Sequence, residues 1–522
     1  MRQAVTAMGQ LQQDGGMHHR SVEPEDDGGF YRRAAGGAGE AANATADAAA
    51  GEGQRAPQAF PGEFADVPLA ESFAPALPRD PDLPAAALLQ IVQRVERAAL
   101  EALYRDLDGR RWRRNDGWAA GVGAGGPYCR WHGITCATAE AGVLEVALPA
   151  NGLQGPVSPQ LGSLLHLQHL DLSHNALKGK LPPEVGRLKY LQSLNLRRNF
   201  LGGRLPDGLQ DLERLKAVDV SANGLAGRLP VLLKSPGLRL FNASLNPLET
   251  TLPRWLGRAS NLEALSLSRA RLAGDIPEEY TALARLRLLD LADNRLNGTL
   301  PAGLRKLRSL EVLDVSGNAL AGAIPPLVQE DTAESLDRLV VLSLARNRLE
   351  GSLPDWLPPK LMALDAAENA LTALVPEAFL YLERLRHLNL SRNAIAAEFV
   401  GGQNNVKRLQ ALESLDVSHN AFRGGLPRDL AALSRLRVLK ARGNGLTGEL
   451  PERLSRLGLL RALDLADNRL EGGVPDDLAD LRQLTLLDLS GNAFSGRVPL
   501  KVLALETLEH LDVSGNNITW AP

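Results

Sequence analysis

The chain has 522 residues, with 58 Lys and Arg against 61 Asp and Glu, and a formal net charge of −3. A balance this close to zero gives no electrostatic reason to expect nucleic acid or an anionic membrane surface as partner. Length alone would suggest three or four domains, but that prior fails for repeat arrays, in which one core grows unit by unit.

Residues 1 to about 80 are rich in Gly, Ala, Pro, Asp and Glu and poor in large apolar residues. Such a stretch cannot bury enough to offset its chain entropy, so it reads as a disordered tail. The start, Met1 to Met8, has no apolar run of signal-peptide length. No later segment approaches the ~20 apolar residues of a membrane span.

Pro84 to Leu107 reads as a helix, with Pro84 in the first turn and Gly109 as the stop. Leu88, Ile91, Val92, Val95, Ala99 and Leu103 recur at helical spacing and predict its buried stripe. Trp112, Trp118 and the run Cys129-Arg-Trp131-His132-Gly133-Ile-Thr-Cys136 follow. These are the only two cysteines of the chain.

From residue 143 onward one unit keeps returning, most often every 24 residues. A clean copy runs Leu460-Arg-Ala-Leu463-Asp-Leu465-Ala-Asp-Asn468-Arg-Leu470-Glu-Gly472-Gly-Val474-Pro475. Leu463-Asp-Leu465 has the period-2 alternation of a short strand with one face buried. Asn468 stands where the chain leaves the strand, and its amide can both donate to and accept from backbone groups there. Stacked coils would place these amides in a ladder. Gly472 eases the bend, and Pro475 disfavours a regular helix, so an extended or 3₁₀ return arm is expected. The ladder position falls at Asn151, Asn175, Asn199, Asn223, Asn246, Ala270, Asn294, Asn318, Asn347, Asn369, Asn393, Asn420, Asn444, Asn468, Asn492 and Asn516. That makes 16 units.

This L-x-x-L-x-L-x-x-N-x-L pattern resembles the leucine-rich repeat family. The Gly-x-Ile/Leu-Pro that follows, as in Gly274-Asp-Ile276-Pro277, resembles its plant-type subclass. The resemblance implies an α/β solenoid: a right-handed superhelix with a concave parallel β-sheet and a 3₁₀ or irregular convex side. Tyr104, Trp112, Asn115, Gly117, Trp118 and the C-x-W-x-G-x-x-C run resemble that family's helical N-terminal cap. There it implies a Cys129–Cys136 disulfide and Trp131 packed on the first coil; buried thiols in a reducing compartment are the alternative. The organisation expected is a tail over 1–80, a cap over 81–142 and a leucine-rich repeat array over 143–522.

Some units depart from the pattern. Ala270 replaces the ladder Asn, which leaves its turn without a side-chain partner. Ala243, Ala366 and Ala441 sit where the strand prefers Leu or Val, so thinner coils are expected there. Insertions at Glu330–Glu334 and Gly401–Asn405 are expected to bulge from the return side. The chain stops within the sixteenth unit at Trp520-Ala-Pro522. A bare last coil or a fragment of a longer receptor is expected.

No catalytic constellation is present. There is no phosphate loop, no G-x-S-x-G, no H-E-x-x-H and no kinase motif set. Cys129, His132 and Cys136 do not complete a zinc site, and no cofactor is expected. The functional surface is expected on the concave sheet. Its column four residues before the ladder position is mostly Asp, Asn and Ser, and Asp464, Asp488 and Asp512 fall close together. The family pattern itself favours Asp there, so a solvated row is expected rather than a cation site.

Departures from this background mark candidate partner-binding residues. His169, His174, Arg197 and Arg198 form one basic patch. His387, Arg392, His419, Lys440 and Arg442 form a second, although Lys440 can serve simply to relieve the repulsion between Asp416 and Asp464. The patches lie about ten strands apart, roughly 50 Å at about 4.8 Å per strand. An extended or macromolecular partner with acidic groups is expected, with Leu240, Leu288, Val312 and Val341 adding exposed apolar contact. Glycosylation sequons occur at Asn43, Asn242, Asn297, Asn389 and Asn517. The family resemblance implies non-catalytic recognition of a protein, peptide or glycan by a receptor-like ectodomain, extracellular or at the cell surface, with a membrane-anchored co-receptor as a further partner. The absence of a signal peptide argues for the alternative, a cytoplasmic scaffold.

Overall fold

The computed structural model describes residues 85–118, 127–138, 141–232, 234–328, 334–399 and 406–519. The expected tail over 1–80, the sequon at Asn43, most of the insertion at Glu330–Glu334, all of Gly401–Asn405 and the last three residues lie outside them.

The first element is helix α1, Ala85–Asp106, within a residue of the expected span. Its buried stripe differs from the expectation. Ile91 and Val95 are exposed, and Glu96, Ala99, Leu100 and Leu103 face inward. The buried stripe is turned by about one residue from that spacing and has a glutamate, Glu96, within it. Glu96 accepts hydrogen bonds from the Tyr128 hydroxyl at 2.6 Å and the Gly142 and Val143 amides at 2.9 and 3.0 Å. His166 of the array lies 3.7 Å away. Burial pushes the Glu96 carboxyl up, but the bonds from His166, Tyr128, Val143 and Gly142 outweigh it and hold it below its ordinary value.

Around this pin, Trp112, Trp118 and Trp131 pack in series with ring centroids 4.9 Å apart. The indole N–H groups of Trp112 and Trp118 donate to the Leu107 and His132 carbonyls. Cys129 and Cys136 are joined by a disulfide. Strand Ile134–Cys136 then pairs antiparallel with Val143–Ala147, the first inner strand of the array.

Sixteen inner strands follow in parallel register and, with the cap strand, make one 17-stranded sheet. After the first, each is three residues long, with the central Leu, Val or Phe buried in all but the last, where Leu511 is half-buried. Most return arms are single 3₁₀ turns opened by proline, such as Glu278–Ala282 after Pro277 and Asp476–Asp480 after Pro475. Small residues let these arms approach. A Cβ on Gly186 would come within 2.8 Å of Gly208 Cα in the next coil. Ala243, Ala366 and Ala441 are fully buried, so the coils close over the smaller side chain.

The asparagine ladder is present. Asn294 Oδ1 accepts from the Ala270 and Leu272 amides of the preceding coil, each at 3.0 Å. Its Nδ2 donates to the Leu267, Leu291 and Ala292 carbonyls. Asn175 makes the same five bonds. At Ala270 the rung is missing, and the backbone reroutes: the Leu248 amide, which an Asn would have served, donates to Asn246 O at 2.9 Å. The expectation of an unserved turn therefore holds only for the side chain. Glu249 and Arg271 beside it take left-handed φ of 52° and 55° and pair at 2.7 Å.

The residue before each ladder position also adopts left-handed backbone, including His174, Arg198, Arg392 and His419. Its amide reaches the next coil, as from His174 to Arg197 O at 2.8 Å. Glycine takes this place at Gly317, Gly443, Gly491 and Gly515.

Candidate functional site

The inner strands hold side chains in columns, because register passes unchanged from strand to strand. Leu288, Val312, Val341 and Ala363 align in one column, and Asp290, Asp314, Ser343 and Asp365 in a second. A third column lies two residues further along each coil. Arg197 and Arg442 belong to it, and between them it holds only Ser and Ala.

All nine expected partner-binding residues fall on or beside this face, but they do not form two cationic patches. Burial lowers the pKa of His169 and His387. Burial together with Arg198 and Arg197 lowers that of His174. All three imidazoles are therefore neutral near pH 7. Arg442 is committed internally: its guanidinium holds Asp467 at 2.8 Å and Asp488 at 3.0 Å. Burial works against its charge, and Asp467, Asp464 and Asp488 overcome that and raise its pKa. Lys440 lies in register between Asp416 and Asp464. Arg198, Arg392 and His419 are exposed at the left-handed positions along the sheet's flank. Arg197 is almost buried beside Asp219.

Between Arg197 and Lys440 the face is a trough. Its floor is small or apolar: Ala217, Leu240, Ala264, Val341 and Ala363 are at most 5% exposed. Leu240 and Val341 are therefore not the exposed apolar contacts expected, while Leu288 and Val312 are half-buried. Ion pairs form the two rims. Arg287–Glu311 at 3.0 Å lies on one side. Arg269 and Arg346, both holding Asp293, lie on the other at 2.9 and 2.8 Å. The Arg346 bridge passes over Gly317, where a Cβ would meet Asp293 Oδ1.

The trough carries recessed carboxylates. Burial and the neighbouring Asp314 push Asp290 up to about 6, against hydrogen bonds from Ser268, Ser266 and the Ala292 amide. Burial pushes Asp365 up to about 6 as well, with Asp314 and Asp416 adding to it. Sequence reasoning treated this column as solvated; its depth comes from the small neighbours in the adjoining columns.

At the far end Asp488, His510 and Asp512 bring ligand atoms within 4.8 Å of one another. Arg442 already supplies a cation to the buried Asp488, and only His510 of the three is exposed.

Family models for leucine-rich repeats match residues 166–188, 190–212, 260–320, 337–395, 411–433, 459–481 and 504–519. The chain is a leucine-rich repeat protein. Its solenoid is similar to a plant peptide hormone receptor, RGFR1 in complex with RGF2, with a TM-score of 0.66 and 30% identity, covering 71% of this chain and 58% of that one. In sequence the array is 38% identical over 112 residues to a calmodulin-binding receptor kinase of Arabidopsis thaliana, covering 20% of this chain and 16% of the kinase. It is 40% identical over 89 residues to mouse podocan-like protein 1, covering 17% of this chain and 15% of that one. The chain thus spans about a sixth of the length of these curated relatives.

No helix among the described residues of this leucine-rich repeat protein is long and apolar enough to cross a membrane. Two of its concave sequons are occupied by internal bonds: Asn242 is buried against Asp219 and Ser244, and Asn389 accepts from Ser391. Asn297 and Asn517 are exposed.

Proposed function

We propose that this protein is a non-catalytic receptor-like recognition module, extracellular or at the cell surface, that holds a peptide or another macromolecular ligand in the trough of its inner face. The observation that carries the reading is the trough itself. Seven consecutive coils keep small or apolar residues on the floor between Arg197 and Lys440, while paired charges line both rims. Similarity to a receptor that binds a peptide hormone supports it. The Cys129–Cys136 disulfide supports an oxidising compartment. Arg197 and Arg198 then stand at one end of the ligand, Lys440 three strands beyond the other, and the other exposed candidates, Arg392 and His419, on its flank. A membrane-anchored co-receptor is a further partner on this reading.

The test fills the trough. Arg197 and Arg442 show that a long side chain is accommodated in the column that holds Ala292 and Ala345. Ala292→Gln with Ala345→Gln should therefore fold normally and abolish ligand capture from the native tissue fluid. Undiminished capture would place the binding site elsewhere. Non-reduced peptide mapping of native material should show the disulfide; two free thiols would move the protein to the intracellular scaffold reading.

A further inference from the structure

From Ala217 to Ala363 two rows run side by side across seven strands. One row is apolar: Ala217, Leu240, Ala264, Leu288, Val312, Val341 and Ala363. The other holds Asp219, Asp290, Asp314 and Asp365 among Asn and Ser. The rows are two residues apart on each strand, about 7 Å. Six gaps of about 4.8 Å give this stretch of the trough a length of about 29 Å, or roughly nine extended residues at ~3.3 Å each.

The acidic row is short of cations. Asp290 faces Asp314 and the hydroxyls of Ser266 and Ser268. Asp314 feels Asp293 as well, and is bonded by Ser316 and Ser343. Asp365 faces Asp314 and Asp416, with Arg346 as its opposing charge, and Arg346 is already shared with Asp293. Charge on this row is thus held at a cost that an incoming cation would remove. The expectation of an acidic partner came from the patches at the ends; the middle of the face has the opposite polarity.

We infer that the ligand held across the seven strands from Ala217 to Ala363 is an extended peptide of about nine residues, presenting lysine or arginine side chains to the carboxylate row and apolar side chains to the row beside it. This rests on the recognition reading above. Such a ligand lies across the strands, and its cationic edge meets Asp290, Asp314 and Asp365 while its apolar edge covers Leu288 and Val312. Binding draws the carboxylates towards their ionised form and releases protons, so affinity falls as pH drops from 7 to 5.

Fluorescence anisotropy on the full chain tests this with two labelled nonapeptides, one alternating leucine and lysine, the other alternating leucine and glutamate, at physiological salt. The lysine peptide should bind at least tenfold more tightly at pH 7, and several-fold more weakly at pH 5 than at pH 7. Asp290→Asn with Asp314→Asn should weaken it at least fivefold. Asp355→Asn with Asp476→Asn, both exposed on the outer arms, should leave it unchanged. Equal affinity for the two peptides, or equal losses in the two double variants, overturns the inference. If Ala292→Gln with Ala345→Gln abolishes capture of the natural ligand while Asp290→Asn with Asp314→Asn leaves it intact, recognition in the trough stands and the cationic peptide falls.

Discussion

Glu96 in the cap and Asp290 in the array are both recessed carboxylates, and their surroundings drive them in opposite directions. Glu96 is met by two backbone amides, a phenol and a histidine, with no like charge against it. Asp290 is met by two serine hydroxyls and one amide, with Asp314 on the next strand. Burial opposes ionisation in both. Donors outweigh it at Glu96, and a neighbouring carboxylate reinforces it at Asp290. The cap therefore uses its buried charge to hold itself to the first coil, whereas the charge in the trough stands against a like charge on the next strand.

The largest expected effect follows from removing the first of these. Glu96→Gln turns an acceptor into an amide facing backbone N–H groups and the Tyr128 hydroxyl. It should destabilise the cap by about 3 kcal/mol, read as an early transition in the fluorescence of Trp112, Trp118 and Trp131 during denaturation. A single unshifted transition would mean that the carboxylate is dispensable. The pH dependences should also oppose each other. The Glu96 contribution is present above the ordinary glutamate value near ~4.3 and lost as pH falls through its lower folded value. The contribution at Asp290 is present below the ordinary aspartate value near ~3.9 and lost as pH rises through about 6. Hydrogen exchange at pH 4 and pH 7 separates cap from array.

A neutral amide meets comparable donors at Asn294, so Asn294→Ala should cost about 2 kcal/mol by orphaning the Ala270 and Leu272 amides. Faster exchange at those two amides is the local signature. Asp290→Asn should stabilise the array by about 1 kcal/mol at pH 7, because it removes a repelled charge and keeps an acceptor for the serines. A loss of stability there would show that the carboxylate is not strained. The smallest effect is expected for Ala270→Asn. Its gain should stay below about 0.5 kcal/mol, since Leu248 already has a partner in Asn246 O.

Whatever repeats was readable. Sixteen copies of one pattern outvote local noise, so the strands, the ladder and the 3₁₀ arms followed from Leu, Asn and Pro spacing. What occurs once was not. Glu96 is a single polar residue in an apolar stripe, and its partners Tyr128, Gly142, Val143 and His166 lie at least 32 residues away in sequence. Arg442 looked available because its partner Asp488 is 46 residues downstream. The left-handed residue in each coil had one sequence sign, the glycines at 317, 443, 491 and 515, too few to define a column. The trough's depth depended on which residues in three adjoining columns were small, a property of neighbours rather than of any one unit.

The missing rung at Ala270 also has a mechanical side. The flanking ladder of short strands is interrupted at the same place, ending at Gly224–Leu225 and resuming at Ala273–Gly274, with only a bridge from Thr251 between. A solenoid is a spring whose turns are tied by cross-links, and here two of the ties are thinned in one turn while the inner sheet runs on unbroken. The flanking ladder also breaks after Leu296 and after Ala373, but those turns keep their asparagine rungs; under tension or torsion the array is therefore expected to yield first between Asn246 and Ala270, beside the near end of the trough.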